Sequence, residues 1–164
     1  MSQQSTPLPE GMHQLSPHLV CAGAADAIAF YQAAFGAVEV TRLQMPDGKL
    51  MHACVSINGS SVMLVDEFPE NGMLSPTSLK GTPVTMHLIV DDVDAWVARA
   101  VAAGATPKMP VSDMFWGDRY GTIEDPFGHS WSMATPLRTV SGTELVDAAH
   151  DHVAGREADA RASR

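Results

Sequence analysis

The sequence predicts an α+β fold in which two βαβββ modules form an eight-stranded curved mixed sheet. Three observations carry that reading. The chain repeats itself: His87 follows His18 by 69 positions, Gly128 follows Gly59 by 69, and Gly104 follows Gly36 by 68. In each copy a stretch of helical period precedes runs of strand composition, and hairpin signals such as Asp47-Gly48 and Asn58-Gly59 separate the runs. Residues 68–83, between the copies, are rich in Pro, Gly and Ser and read as a linker. Either copy alone would leave one face of a four-stranded sheet unburied. Two side by side form a curved sheet with helices outside and a cleft inside.

The domain organisation follows: a polar N-terminal segment (1–14), module 1 (15–67), the linker (68–83), module 2 (84–137) and a C-terminal helix with a disordered tail (138–164). Module 1 opens with the strand-like SPHLVCAG at 16–23. A helix follows over 25–35, with Ile28, Tyr31 and Phe35 at helical spacing and Gly36 as its left-handed stop. Strands are expected over 37–44, 50–57 and 61–65. Module 2 opens with VTMHLIVDD at 84–92. Asp91 or Asp92 caps a helix over 93–103, and Gly104 closes it. Strands follow near 106–111, 118–124 and 129–134, the last entered through the turn Asp125-Pro126-Phe127-Gly128. Beyond residue 137, Ser141-Gly142-Thr143-Glu144 is a capping-box pattern that starts a helix over about 143–153. Residues 155–164 are expected to be disordered.

Composition narrows the function. A net charge of −9 speaks against a phosphate-backbone partner, which needs Lys and Arg to displace counterions. It mildly favours a neutral or cationic ligand, although part of the acid lies in the C-terminal tail. No apolar run approaches the roughly 18 residues of a membrane span. The N-terminus lacks the basic and apolar regions of a secretion signal, so a cytoplasmic protein is expected. Cys21 and Cys54 both fall in strand-like runs and read as buried free thiols rather than a disulfide.

The stretches AIAFYQAAFGA, HLIVDDVDAWVARAVAAGA and DRYGTIEDPFGHSW, within about residues 15–135, resemble the glyoxalase/bleomycin-resistance family of the vicinal oxygen chelate superfamily. Their branch is the one filed with 3-demethylubiquinone methyltransferase-like proteins, a label that is not good evidence of methyl transfer. The resemblance implies the glyoxalase/bleomycin-resistance/dioxygenase fold. It leaves the reaction open, because members include lyases, isomerases, dioxygenases, thiol transferases and drug-sequestering binders. It also implies where metal ligands would stand: Ser132, four residues after Gly128; Met63, four after Gly59; and Ser16 and Thr85 on the first strands. Neutral hydroxyls and a thioether are poor donors for a hard or borderline divalent ion. No metal and no cofactor are therefore expected.

His18 and His87 lie two residues beyond the implied ligand positions and, by strand alternation, point into the cleft. His52 falls with Cys54 and Ser56 on the polar face of its strand. Three imidazoles leave open a non-standard zinc site and a metal-dependent lyase, isomerase or dioxygenase. The favoured expectation is a cleft that binds a small organic molecule without the usual metal, formed by His18, His52, Met63, His87, Trp116, Arg119, Tyr120 and Ser132; drug sequestration is a third reading. Two readings of the Met114–Tyr120 loop stand side by side. Trp116 offers a flat face for stacking or for a cation and Arg119 a fork for a carboxylate or phosphate, or Phe115 and Trp116 plug the core and Asp118-Arg119 is a surface pair. No nucleophile–base pair is visible, and no catalytic residue is assigned. His129 is expected to be exposed after its turn, and His150 and His152 solvated. Related proteins bury large surfaces between chains, so a homodimer is expected.

Overall fold

A computed structural model describes residues 8–162 of the chain. Module 1 contains β1 (His18–Cys21), α1 (Ala24–Phe35), β2 (Val38–Gln44), β3 (Leu50–Ile57) and β4 (Ser60–Asp66). Module 2 contains β5 (Thr85–Ile89), α3 (Val93–Ala102), β6 (Thr106–Asp113), β7 (Asp118–Glu124) and β8 (Ser130–Pro136). The linker holds a 3₁₀ turn (Pro69–Asn71) and a single-turn helix, α2 (Pro76–Leu79). Each module is the expected βαβββ unit, and the two sheets have the same order, β1-β4-β3-β2 and β5-β8-β7-β6. In each, the first strand runs parallel to the last and the remaining pairs are antiparallel. The eight strands thus form two four-stranded mixed sheets, not one continuous hydrogen-bonded sheet. β1 and β5 are edge strands of their own sheets.

The repeat is chemical as well as topological. In module 1 the carboxylate of Asp66, at the end of β4, accepts from the backbone N–H groups of Gly23 (3.1 Å) and Ala24 (2.8 Å) at the start of α1. In module 2 the equivalent residue at the end of β8, Thr135, accepts with Oγ1 from the Val93 N–H (2.8 Å) at the start of α3. A side chain from the last strand therefore satisfies donors that every helix start leaves orphaned. α1 ends at Gly36 (φ 64°), whose N–H donates to the Gln32 carbonyl, while the Ala37 N–H donates to that of Tyr31. That left-handed stop is the one the sequence predicts. Pro107 and Pro110 fit β6 because it is an edge strand, where a missing N–H breaks no interior ladder.

Strand alternation gives each sheet one apolar and one more polar face. Leu19, Ala53, Val55 and Leu64 of module 1, with Met86, Leu88, Ile123, Trp131 and Met133 of module 2, join one core cluster around α1 and α3. The ring of Phe35 on α1 stands 4.9 Å from Trp131 on β8 and 6.2 Å from Trp96 on α3, and the Arg99 guanidinium covers Trp96 at 4.7 Å.

The Asp125 carboxylate ties the modules together. Buried, it accepts from the Tyr31 hydroxyl (2.7 Å) of module 1, from Trp131 Nε1 (2.9 Å), and from the backbone N–H groups of Phe127 and His129 (both 2.9 Å). A buried carboxylate with four donors meets the condition under which burying a charge is tolerable.

Two expectations need correction here. α4 (Gly142–Ala162) runs well beyond residue 153 instead of giving way to a disordered tail at 155. The extension contains no proline and several strong helix formers, Ala158, Ala160 and Arg161 among them. His129 is buried, not exposed: its backbone N–H is held by Asp125, and Pro76 of α2 packs over Gly128 beside it. Residues 1–7 of the polar N-terminal segment and residues 163–164 of the tail lie outside the described residues.

Candidate functional site

The predicted site residues separate into two clusters, one on the polar face of each sheet. On module 2, Thr85, His87 and Ile89 of β5 lie opposite Ser130, Ser132 and Ala134 of β8, and Thr122 and Tyr120 of β7 continue the row. His87 Nδ1 is 2.8 Å from Ser132 Oγ. The His87 ring stacks on Tyr120 at 6.2 Å, and Tyr120 meets Trp116 edge to face at 5.4 Å. Trp116 in turn packs at 5.0 Å against Phe115, which touches His152 of α4 at 5.1 Å. His152 is therefore a packing partner as well as an exposed residue. The 114–117 turn is pinned by the C-terminal chain, since the Leu137 and Arg138 N–H groups both donate to the Gly117 carbonyl. Gly117 needs its positive φ of 99°, and a Cβ there would lie 2.5 Å from the Arg138 carbonyl oxygen.

Arg119 is not part of this cluster. Alternation along β7 puts it on the face opposite Tyr120, where its guanidinium binds Asp94 of α3 (2.5 Å) and Asp113 of β6 (2.7 Å). It is the surface pair of the two readings, with Asp94 and Asp113 rather than Asp118 as partners. Hydrogen bonds from Arg119 hold the Asp94 carboxyl below the usual range.

On module 1, His18, Met63 and Cys54 are register neighbours across β1, β4 and β3. The His18 and His52 rings are 6.3 Å apart, edge to face. Burial, and then the nearby His52, lowers the pKa of His18. This face is covered in part. The segment before β1 lies across it: the Met12 sulfur touches Cys54 Sγ at 3.3 Å, the His13 N–H donates to Ser61 Oγ (3.0 Å), and the Ser61 N–H donates to His13 Nδ1 (3.2 Å). Met12 and His13 escaped the sequence reading because a segment without periodicity gives no sign of where it docks.

The expected single cleft is thus several. His87 lines one of about 580 Å³ with Leu15, Ser16, Val62, Met86, Leu88 and Trp131. His18 lines a second with His129, Leu74, Pro76 and Leu79 of the linker. His52 and Met63 line a third with Met12 and Val40. The buried His129 imidazole, within 3.2 Å of the Val20 carbonyl and 3.7 Å of Cys21 Sγ, has its pKa lowered by desolvation against the opposing pull of Asp125. Burial and the charges of Asp125 and Asp66 push the Cys21 thiol well up, and both cysteines are free.

The family's divalent-metal positions can be tested directly. Ser16 Oγ is engaged with Ser61 Oγ (2.5 Å), Ser132 Oγ with His87, and Met63 and Thr85 offer a thioether and a hydroxyl. These groups do not fit a hard divalent ion. Among the described residues no three His, Cys, Asp or Glu side chains converge on a point.

Fold and faces together define a paired-βαβββ protein whose polar faces carry imidazole, hydroxyl and aromatic groups in place of metal-binding carboxylates. The chain belongs to the Glyoxalase/Bleomycin resistance protein/Dioxygenase superfamily, which it matches over residues 12–133. An uncharacterised protein of Mycobacterium tuberculosis (strain ATCC 25618 / H37Rv) is 54% identical over 134 residues, 80% of this chain and 79% of that protein. The crystal structure of TioX from Micromonospora sp. ML1 is similar at a TM-score of 0.61 and 26% identity, over 76% of this chain and 99% of that one. A Bacillus cereus protein described as a putative 3-demethylubiquinone-9 3-methyltransferase, PhnB protein, shares the fold at a TM-score of 0.59 and 19% identity, over 75% and 99% of the two chains.

Proposed function

We propose that the protein binds a small organic molecule beside His87, without a divalent metal. The observation that carries this reading is His87 itself. His87 lines the cleft between β5 and the segment before β1, and its ring is held by Ser132 and stacked on Tyr120. The cleft's volume is that of small-molecule sites, and Leu15, Val62, Met86, Leu88 and Trp131 give it the mostly apolar wall with few polar groups that such sites share. Outside the cleft lining, Tyr120 stacks on the His87 ring and meets Trp116 edge to face, two nearly perpendicular rings suited to a planar group.

A fragment library of planar organic molecules screened by ligand-observed NMR tests this. Hits should lose binding in His87→Ala and weaken in Tyr120→Ala, while Arg119→Ala leaves them unchanged. Hits indifferent to His87→Ala would overturn the reading.

We further propose a homodimer in the cytoplasm. The unpaired edges of β1 and β5 and the exposed Val84 and Ile89 favour association, since open strand edges are templates for pairing. The free thiols favour a reducing compartment. Light scattering at micromolar concentration should give twice the chain mass; one chain's mass would remove the dimer.

A further inference from the structure

The partly covered face of module 1 gathers soft metal donors. Cys54 on β3 and Met63 on β4 are directly paired in register with their side chains on the same face. Met12, brought in by the N-terminal segment, puts its sulfur 3.3 Å from Cys54 Sγ. Gly11 makes that approach possible: with φ at 76° and no Cβ, it lies against Val40 of β2, where a Cβ would come within 3.0 Å of a valine methyl. Met12, Met63 and His52 line one cavity, and the buried Cys54 touches Met12 and pairs with Met63 of that lining. None of the hydroxyls at the family's metal positions is needed. One thiol, two thioethers and a neighbouring imidazole are the wrong donors for manganese or magnesium, but they are the set that favours a soft monovalent ion.

From this juxtaposition we propose that Cys54, Met12 and Met63 form a binding site for Cu(I), with His52 at its rim. The Cys54 thiol gives up its proton to solvent and the thiolate takes the ion. One proton is released per Cu(I), and the metal does not change oxidation state. At the about 2.3 Å typical of a metal–thiolate bond, trigonal ligands stand about 4 Å apart. Met12 must therefore withdraw from Cys54 by less than an ångström, which an unbranched thioether on a surface segment can do. The site lies on module 1 and does not depend on organic-ligand binding at His87.

Titration of the full chain with Cu(I), kept reduced by ascorbate and in competition with a colorimetric Cu(I) chelator, tests the assignment; redox-inert Ag(I) serves as a second probe. One equivalent should bind per chain, with a thiolate-to-copper ultraviolet band. Cys54→Ser should abolish binding, and Met12→Leu and Met63→Leu should each weaken it tenfold or more. Cys21→Ser and His87→Ala should leave it unchanged. Should Cys54→Ser fail to fold, Met12→Leu decides, because Met12 lies outside both sheets. Surrender of all copper to the chelator by the unmodified chain would overturn the site, as would full affinity in the Met12→Leu, Met63→Leu double variant.

Discussion

His87 Nδ1 meets Ser132 Oγ at 2.8 Å across two parallel strands, whereas the equivalent pair in module 1 is His18 and Met63. The same backbone relationship thus holds a hydrogen-bonded imidazole in one module and an imidazole beside a thioether in the other. Ser132→Ala removes the partner of His87 and should cost about 0.5–1.5 kcal/mol in urea denaturation, the usual net value of one hydrogen bond. Ser130→Ala, which has no such partner, should cost less than half as much.

The Asp125 latch should be far more sensitive. Asp125→Ala leaves the Tyr31 hydroxyl and Trp131 indole N–H buried without an acceptor, at about 1–3 kcal/mol each. Tyr31→Phe removes one of four donors and should cost about 1–2 kcal/mol. Equilibrium unfolding by intrinsic fluorescence would rank the two; equal losses would mean that Asp125 does not join the modules.

Stability should fall on the acid side. The pKa values of His129 and His18 are both lowered in the folded state by desolvation. Below the unfolded value of about 6.5 the unfolded chain therefore binds more protons than the folded one, and stability declines as pH drops. His129→Gln should flatten this slope in denaturation series run from about pH 7.5 to 5.5. An unchanged slope would assign the effect elsewhere.

Hard divalent metals should not stabilise the chain. A ligand bound only by the folded state must raise the thermal midpoint. Manganese and magnesium, each added at millimolar concentration, should leave it in place because Ser16, Met63, Thr85 and Ser132 offer no carboxylate and the soft donors around Cys54 do not suit a hard ion. A rise that disappears in Thr85→Ala or Ser132→Ala would restore a conventional metal centre.

Native Cys21 should resist alkylation until the protein unfolds. Its thiol is fully buried, and its pKa is raised by desolvation and by the nearby Asp125 and Asp66 charges, so the reactive thiolate is scarce. Mass spectrometry after iodoacetamide treatment at about pH 8 would detect labelling that contradicts this.

The sequence by itself determined the two βαβββ units and the superfamily. These rest on local signals: a helical period ended by Gly36, the Asn58-Gly59 hairpin, and a repeat of 69 positions that even pairs Asp66 with Thr135 as helix caps. Strand alternation also sent Ser132 and Trp131 to opposite faces. Tertiary structure decided how those faces are used. Arg119 turned to Asp94 because α3 passes over its side of β7, and His129 was buried because α2 settles on Gly128. Met12 and His13 cover part of the face of module 1, since a segment of no period docks wherever Cys54 and Ser61 offer partners. Periodicity within a strand fixes the face on which a side chain stands, but contacts between residues 25 or more positions apart fix what covers that face, and no short-range pattern encodes them.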